Sequence, residues 1–173
     1  MSVKEAGDRA KEMLARLGIV NPAINPEEIA NQLGVVIARE KLDGNTSAML
    51  YRKSGEAPVI GLNSTQSRKR QRFSIAHELG HLVLHPGRPL IVDHVRVNFR
   101  DDRASAGSFR EEIEANAFAA ELLMPKHMLE RALMKFRLDT PEDEIVKALA
   151  NTFEVSREAI GYRLVNLGLR SGL

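Results

Sequence analysis

The stretch RFSIAHELGHLVLH, residues 72–85, constrains this chain more than any other, because it sets three of the five histidines four residues apart in an oily segment. Apolar side chains recur at helical spacing from 65 to 85 (Phe73, Ile75, Ala76, Leu79, Leu82 and Val83), and Pro86-Gly87 stops the pattern. Residues four apart on an α-helix lie one above the other. His77 and His81 therefore aim two ring nitrogens at one point. Buried imidazoles without partners are costly. A divalent cation that takes nitrogen and oxygen donors, zinc first among them, removes that cost. Glu78 sits one position off the ligand row and reaches over the open coordination position. There a carboxylate takes a proton from water and later hands it to a leaving amine. This is the HExxH logic of zinc proteases.

Two histidines leave a catalytic zinc one protein ligand short. His85 is nearest in sequence but badly placed, since each four-residue step turns about 40° past a full turn and carries its side chain round the helix. It either lines the cleft or simply ends the helix beside Pro86, and the second reading is preferred. The better source is EEIEANAFAAELLMP, residues 111–125. The helix dipole draws acidic residues to a first turn, which accounts for two of Glu111, Glu112 and Glu114. Glu112 shares its stripe with Asn116, Ala119, Ala120 and Leu123, a small, partly polar face that can approach another helix. We assign Glu112 as the third ligand, with Glu114 the next candidate, and expect Asn116 to orient a histidine N–H from behind. The expected metal ligands are thus His77, His81 and Glu112, with Glu78 as the catalytic group.

The rest of the chain says what carries such a site. A length of 173 residues, 43% hydrophobic and 28% charged, suits one compact soluble domain. The absence of cysteine excludes a disulfide framework, a zinc ribbon and a thiol nucleophile. No run approaches the roughly 20 apolar residues of a membrane span, and the charged N-terminus lacks the apolar core of a signal peptide. A cytoplasmic protein is expected. The net charge of +2 says little about nucleic acid. Helical spacing runs over 3–17 behind Ser2, then over a short segment behind Asn25-Pro26, where Glu28 completes a capping box. The period then changes to that of strands in VVIAREKL, SAMLYRK and APVIGLN, separated by LDGN and KSGE, which predicts a small antiparallel sheet. LIVDHVRVNF offers a further strand and RDDRASAG reads as a loop. Helical patterns follow from about Ser108 to Pro125, then over 126–136, 141–152 and 156–167.

Taken together, RFSIAHELGHLVLH and the later EANAFAAELLMP resemble the ImmA/IrrE family of metallopeptidase-like proteins. The likeness runs from about Thr65 to Pro125 and continues less specifically through FEVSREAIGYRLVNLGL. It implies an α+β fold with a zincin-like helical domain, a small antiparallel β-sheet and a C-terminal helical hairpin. The expected organisation is one domain over 1–173, with N-terminal helices and sheet in 1–63, metal-site helices in 64–136 and the hairpin in 137–173. It implies that His77 and His81 are metal ligands, Glu78 the general base, and Glu112 the acidic residue of an E-x-[EQ]-A-[ND] stretch. It further implies a metallo-endopeptidase that acts on a helix-turn-helix transcriptional repressor and switches on a stress or mobile-element response. Zn2+ is the expected cofactor, and Mn2+ or Fe2+ also suit two histidines and a carboxylate. Many family members begin with their own helix-turn-helix domain. Here the first helix pair runs straight into strands, which implies a regulator supplied in trans.

Two rival readings belong to other classes. In one, the metal is structural or sensory and the protein only binds a regulator, as in a toxin–antitoxin pair. In the other, residues 141–167 form a DNA-reading helix-turn-helix that offers Arg157, Arg163 and Asn166. Against the second, Ile145, Ala148, Leu149, Val155, Ala159, Ile160, Leu164 and Leu167 form an apolar face that any helical hairpin buries. Glu142, Asp143 and Glu144 would also repel phosphate. Docking of a protein partner is the preferred role for this end. The basic segment TQSRKRQRF either lies near the cleft mouth or is a solvated helix start.

Overall fold

Ser2 opens the chain with a reciprocal cap: its hydroxyl accepts the Glu5 N–H at 3.2 Å and the Glu5 carboxylate accepts the Ser2 N–H at 2.6 Å. Helix α1 (Val3–Arg16) follows and buries Ala6, Ala10, Met13 and Leu14, while Val3 stays exposed. At α2 (Pro26–Gln32) Asn25 caps the Glu27 N–H, but Glu28 bonds the Asn25 side-chain amide, so no full box forms there. This computed structural model describes residues 1–43, 45–87, 89–94 and 106–169, without the side chains of 92–94 and 106–108. The remaining described elements are β1 (Val36–Glu40), β2 (Thr46–Tyr51), β3 (Val59–Asn63), α3 (Arg68–Leu84), β4 (Leu90–His94), α4 (Ala106–Leu123), α5 (Lys126–Leu133), α6 (Glu142–Thr152) and α7 (Arg157–Asn166). The class is α+β, as expected. Residues 95–99 of the further strand pattern and 100–105 of the expected loop lie outside the described residues.

The sheet is mixed, which corrects the expectation of an all-antiparallel one. Its order is β1-β3-β2-β4; β2 pairs antiparallel with β3 and β4, while β1 pairs parallel with β3. Strand period tells which side chains share a face, not which strand lies alongside. The segment between β1 and β2 is not a hairpin turn. It crosses the end of β3, where the buried Asn63 side chain donates to the carbonyls of Thr46 at 2.9 Å and Leu42 at 3.4 Å.

Against the sheet lies α3, and against α3 lies α4, which α1 covers in turn. Their shared core includes Leu50, Ile60 and Leu62 from the strands, Leu79 from α3, and Phe118 and Leu122 from α4, all fully buried. α3 and α4 touch almost backbone to backbone. A methyl group on Gly80 would stand 3.1 Å from both the Cα and the carbonyl oxygen of Ala115. The C-terminal hairpin is fastened by two arginines. Arg72 of α3 donates to the carbonyls of Ile24 at 2.7 Å and Glu154 at 3.2 Å, and Arg163 of α7 pairs with Glu121 of α4 and donates to the Met124 carbonyl at 3.1 Å.

Candidate metal centre

His77 and His81 lie one turn apart on α3, where the helix faces α4, and are almost fully buried. Their Nε2 atoms are 3.0 Å apart. Glu112 enters from α4 with Oε2 3.1 Å from His77 Nε2 and Oε1 3.2 Å from His81 Nε2. Among the described residues these three form the group of potential metal donors that converges on one point. Glu78, between the two histidines in sequence, is fully buried on the same helix.

The ring nitrogens facing away from this point decide its chemistry. His77 Nδ1 lies 3.0 Å from Asn116 Oδ1. An amide oxygen only accepts, so the His77 proton sits on Nδ1 and its Nε2 is bare. His81 Nδ1 lies 3.0 Å from His85 Nδ1, and His85 Nε2 lies 2.9 Å from Glu114 Oε2. With both rings neutral, the Glu114 carboxylate accepts the His85 Nε2–H, His85 Nδ1 accepts the His81 Nδ1–H, and His81 Nε2 is bare as well. In those tautomers two bare nitrogens and a carboxylate meet, an arrangement that a low-dielectric interior penalises unless a cation joins it or the rings place a proton there. Tetrahedral zinc with bonds of about 2.0–2.1 Å separates its donors by roughly 3.3 Å. The Nε2 atoms stand 3.0 Å apart, each lies within 3.2 Å of one or the other Glu112 oxygen, and one donor atom from each residue falls within 4.8 Å of the others, so the residues fit the ion.

Burial pushes the His81 ring toward its neutral form, against the pull of Glu112. Burial also acts to raise the Glu112 carboxyl, but the His77 and His81 rings outweigh it and hold the group well below the usual carboxylate range. A neutral imidazole and an ionised carboxylate are the forms that ligate. Around the centre, Arg52 donates from Nη2 to the His85 carbonyl at 2.8 Å. Burial lowers the pKa of its guanidinium, and the negative charge of Glu78 opposes that.

The structure brings His77, His81 and Glu112 together and sets Asn116 behind His77. Glu114, the next candidate ligand, faces away from the donor cluster. It holds His85, the Met1 amine at 3.2 Å and Arg110 at 3.0 Å, partners that keep its carboxyl low against burial. His85 ends α3, as preferred from the sequence, but its ring also bridges His81 and Glu114. That bridge and the approach of Arg52 carry no periodic signal. Histidine spacing alone hints at the first.

Residues 30–165 match the IrrE N-terminal-like domain (Peptidase_M78). The chain belongs to that family. A metallopeptidase family carries with it the expectation of a metal cofactor, and the His77–His81–Glu112 cluster is where this member offers one a place. Two relatives are similar in sequence. "Uncharacterized immunity region protein 2" of Bacillus phage phi105 is 28% identical over 127 residues, which cover 72% of this chain and 75% of that protein. "Radiation response metalloprotease IrrE" of Deinococcus radiodurans is 32% identical over 111 residues, which cover 63% of this chain but 31% of that longer protein. A solved "Mycobacterium tuberculosis transcriptional regulator" shares the fold, with a TM-score of 0.61 at 19% identity, over 92% of this chain and 46% of that one. No described helix is long and apolar enough to cross a membrane.

Proposed function

We propose that this family member is a Zn2+-dependent endopeptidase that cuts a helix-turn-helix transcriptional repressor and so releases a stress or mobile-element response. The observation that carries the reading is the convergence of His77, His81 and Glu112, with Glu78 beside His77 on the same helix. Zn2+ held there would polarise a scissile carbonyl and bring water toward ionisation near neutral pH. Glu78 would take the water proton on its carboxylate and return it to the departing amine. Asn116 and His85 would keep the two rings from turning away. An extended substrate segment would pair with an edge of the sheet, where β4 runs antiparallel to β2. The names of the relatives support a regulatory role: one belongs to a phage immunity region and the other to a radiation response.

The DNA-reading alternative meets an obstacle in the hairpin. Arg163 is held in a buried pair with Glu121, so one of the three side chains such a helix would use is engaged inside the chain, and the exposed Arg157 stands beside the acidic Asp143. The test of the main reading is incubation of Zn2+-loaded protein with candidate helix-turn-helix repressors from the same genome, followed by mass analysis of fragments. Wild type is expected to give one defined cut. Glu78→Gln is expected to lose about 10²–10⁴-fold in rate while binding Zn2+ as before. A Glu78→Gln variant that inactivates the repressor as fast as wild type would mean that the protein works by binding, not by hydrolysis.

A further inference from the structure

The two ring ligands are backed unequally. Behind His77 stands a neutral amide, Asn116. Behind His81 stands a second imidazole, and behind that an ionised carboxylate: His81 Nδ1 to His85 Nδ1 at 3.0 Å, then His85 Nε2 to Glu114 Oε2 at 2.9 Å. Both outer residues are buried, at 8% exposure for His85 and 4% for Glu114. We propose that His85 and Glu114 are a positioning pair for His81: they fix its tautomer, aim its Nε2 at the cation, and make it the stronger donor of the two rings. The proposal rests on the metal reading above and goes beyond it, because it assigns a role to two side chains outside the ligand set.

Packing alone does not explain the arrangement. The helix cap at His85 uses its backbone, whose N–H donates to the His81 carbonyl and whose carbonyl accepts from Arg52. Any residue could supply both groups. Only the ring spans His81 and Glu114 at once, and burying an imidazole and a carboxylate costs more than burying a leucine. His85 is also no ligand itself, since it touches His81 on the nitrogen that faces away from Glu112. A ligating histidine whose far N–H meets a carboxylate, directly or through a carrier, gains basicity and loses rotational freedom.

The chemistry of the bridge makes it separable. In His85→Asn the amide oxygen falls near the position of Nδ1 and still accepts from His81. In His85→Gln the amide nitrogen falls near Nε2 and keeps only Glu114. His85→Leu keeps neither, and Glu114→Gln keeps the shape without the charge. Zn2+ affinity, read by competition with a chelator, and the visible absorption of the Co2+-substituted protein test the set without reference to hydrolysis. His85→Leu and Glu114→Gln are expected to weaken Zn2+ binding by about 10–100-fold and to shift the Co2+ bands. His85→Asn is expected to recover most of the loss and His85→Gln little of it. Should either His85→Leu or Glu114→Gln, folded by circular dichroism, bind Zn2+ within about twofold of wild type with an unchanged Co2+ spectrum, the pair is packing only and the proposal fails while the metal reading stands; about twofold is well short of the roughly 10–100-fold loss expected of outer partners. Wild-type protein that binds neither ion overturns both.

Discussion

Helix pair α3–α4 and helix pair α6–α7 bury opposite kinds of side chain. The hairpin α6–α7 packs Leu149, Ala150, Phe153, Ile160 and Leu164 inward and leaves Glu142, Asp143, Glu144, Arg157 and Glu158 exposed. The α3–α4 pair buries His77, Glu78, His81, Glu114 and Glu121 among Ala76, Leu79, Phe118 and Leu122. Apolar side chains hold helices together without desolvating charge, as the hairpin demonstrates. Buried ionisable groups stabilise a fold poorly even when paired. The difference therefore separates a scaffold from a candidate site: in α3–α4 Arg163 balances Glu121, and Arg110 and the Met1 amine balance Glu114, while a cation would balance His77, His81 and Glu112; α6–α7 is held by apolar packing.

The largest effect that sharpens this contrast is thermal. At a Zn2+ concentration about a thousand times its Kd, binding to the folded state alone adds about 4 kcal/mol, a rise of roughly 8–16 °C in Tm for a chain of this size. Glu112→Ala, measured by calorimetry with and without Zn2+, is expected to abolish the rise. The counterpart in the hairpin is Leu164→Ala, at a fully buried position. It is expected to cost about 2–5 kcal/mol and to leave the Zn2+-dependent rise intact. If the hairpin variant also erased that rise, scaffold and site would be one cooperative unit and the contrast would break.

Different parts of this contrast were legible in the sequence for different reasons. Helical period placed His77 above His81, and the same period put Asn116 on the stripe of Glu112, where the structure finds both beside the rings. The change to strand period after Gly34 announced the α+β class. Nothing periodic told β1 to lie parallel beside β3: that pairing joins residues 23 apart, and the Asn63 bonds to Leu42 and Thr46 that accompany it carry no period. The bridge made by the His85 ring was not legible for a physical reason. Drift round the helix counts against a third ligand on the same metal, but an outer partner needs only to reach the far side of His81, and the drift takes it there. The pair between Arg163 and Glu121 spans 42 residues, and no local pattern encodes a contact at that range.

Next in size is Asn116→Ala, which removes the acceptor behind His77. A loss of about 10–100-fold in Zn2+ affinity is expected, in keeping with other outer partners of metal ligands. The same chelator competition checks it. An unchanged affinity would mean that His77 is held by its burial alone.

The smallest expected change in stability comes from Gly80→Ala, where two effects of opposite sign compete. Alanine gains about 1 kcal/mol over glycine as a helix former. Its methyl group would meet the Cα and carbonyl oxygen of Ala115 at 3.1 Å and the Phe118 Cβ at 3.3 Å. Two of these atoms are backbone, which cannot rotate aside, so α4 has to move by a few tenths of an ångström. Overpacking of this kind costs about 1–3 kcal/mol, which leaves a net loss of roughly 0–2 kcal/mol after the helix gain. The metal centre is expected to register the shift more strongly than the fold does. Ala115 sits between Glu112 and Asn116, so a displaced α4 carries the third ligand and the His77 acceptor away from α3 together. A Gly80→Ala protein with near-native Tm and clearly weakened Zn2+ binding would show that the glycine of HELGH serves the spacing of the site. Unchanged Zn2+ binding would show that α4 absorbs the methyl group without moving its carboxylate.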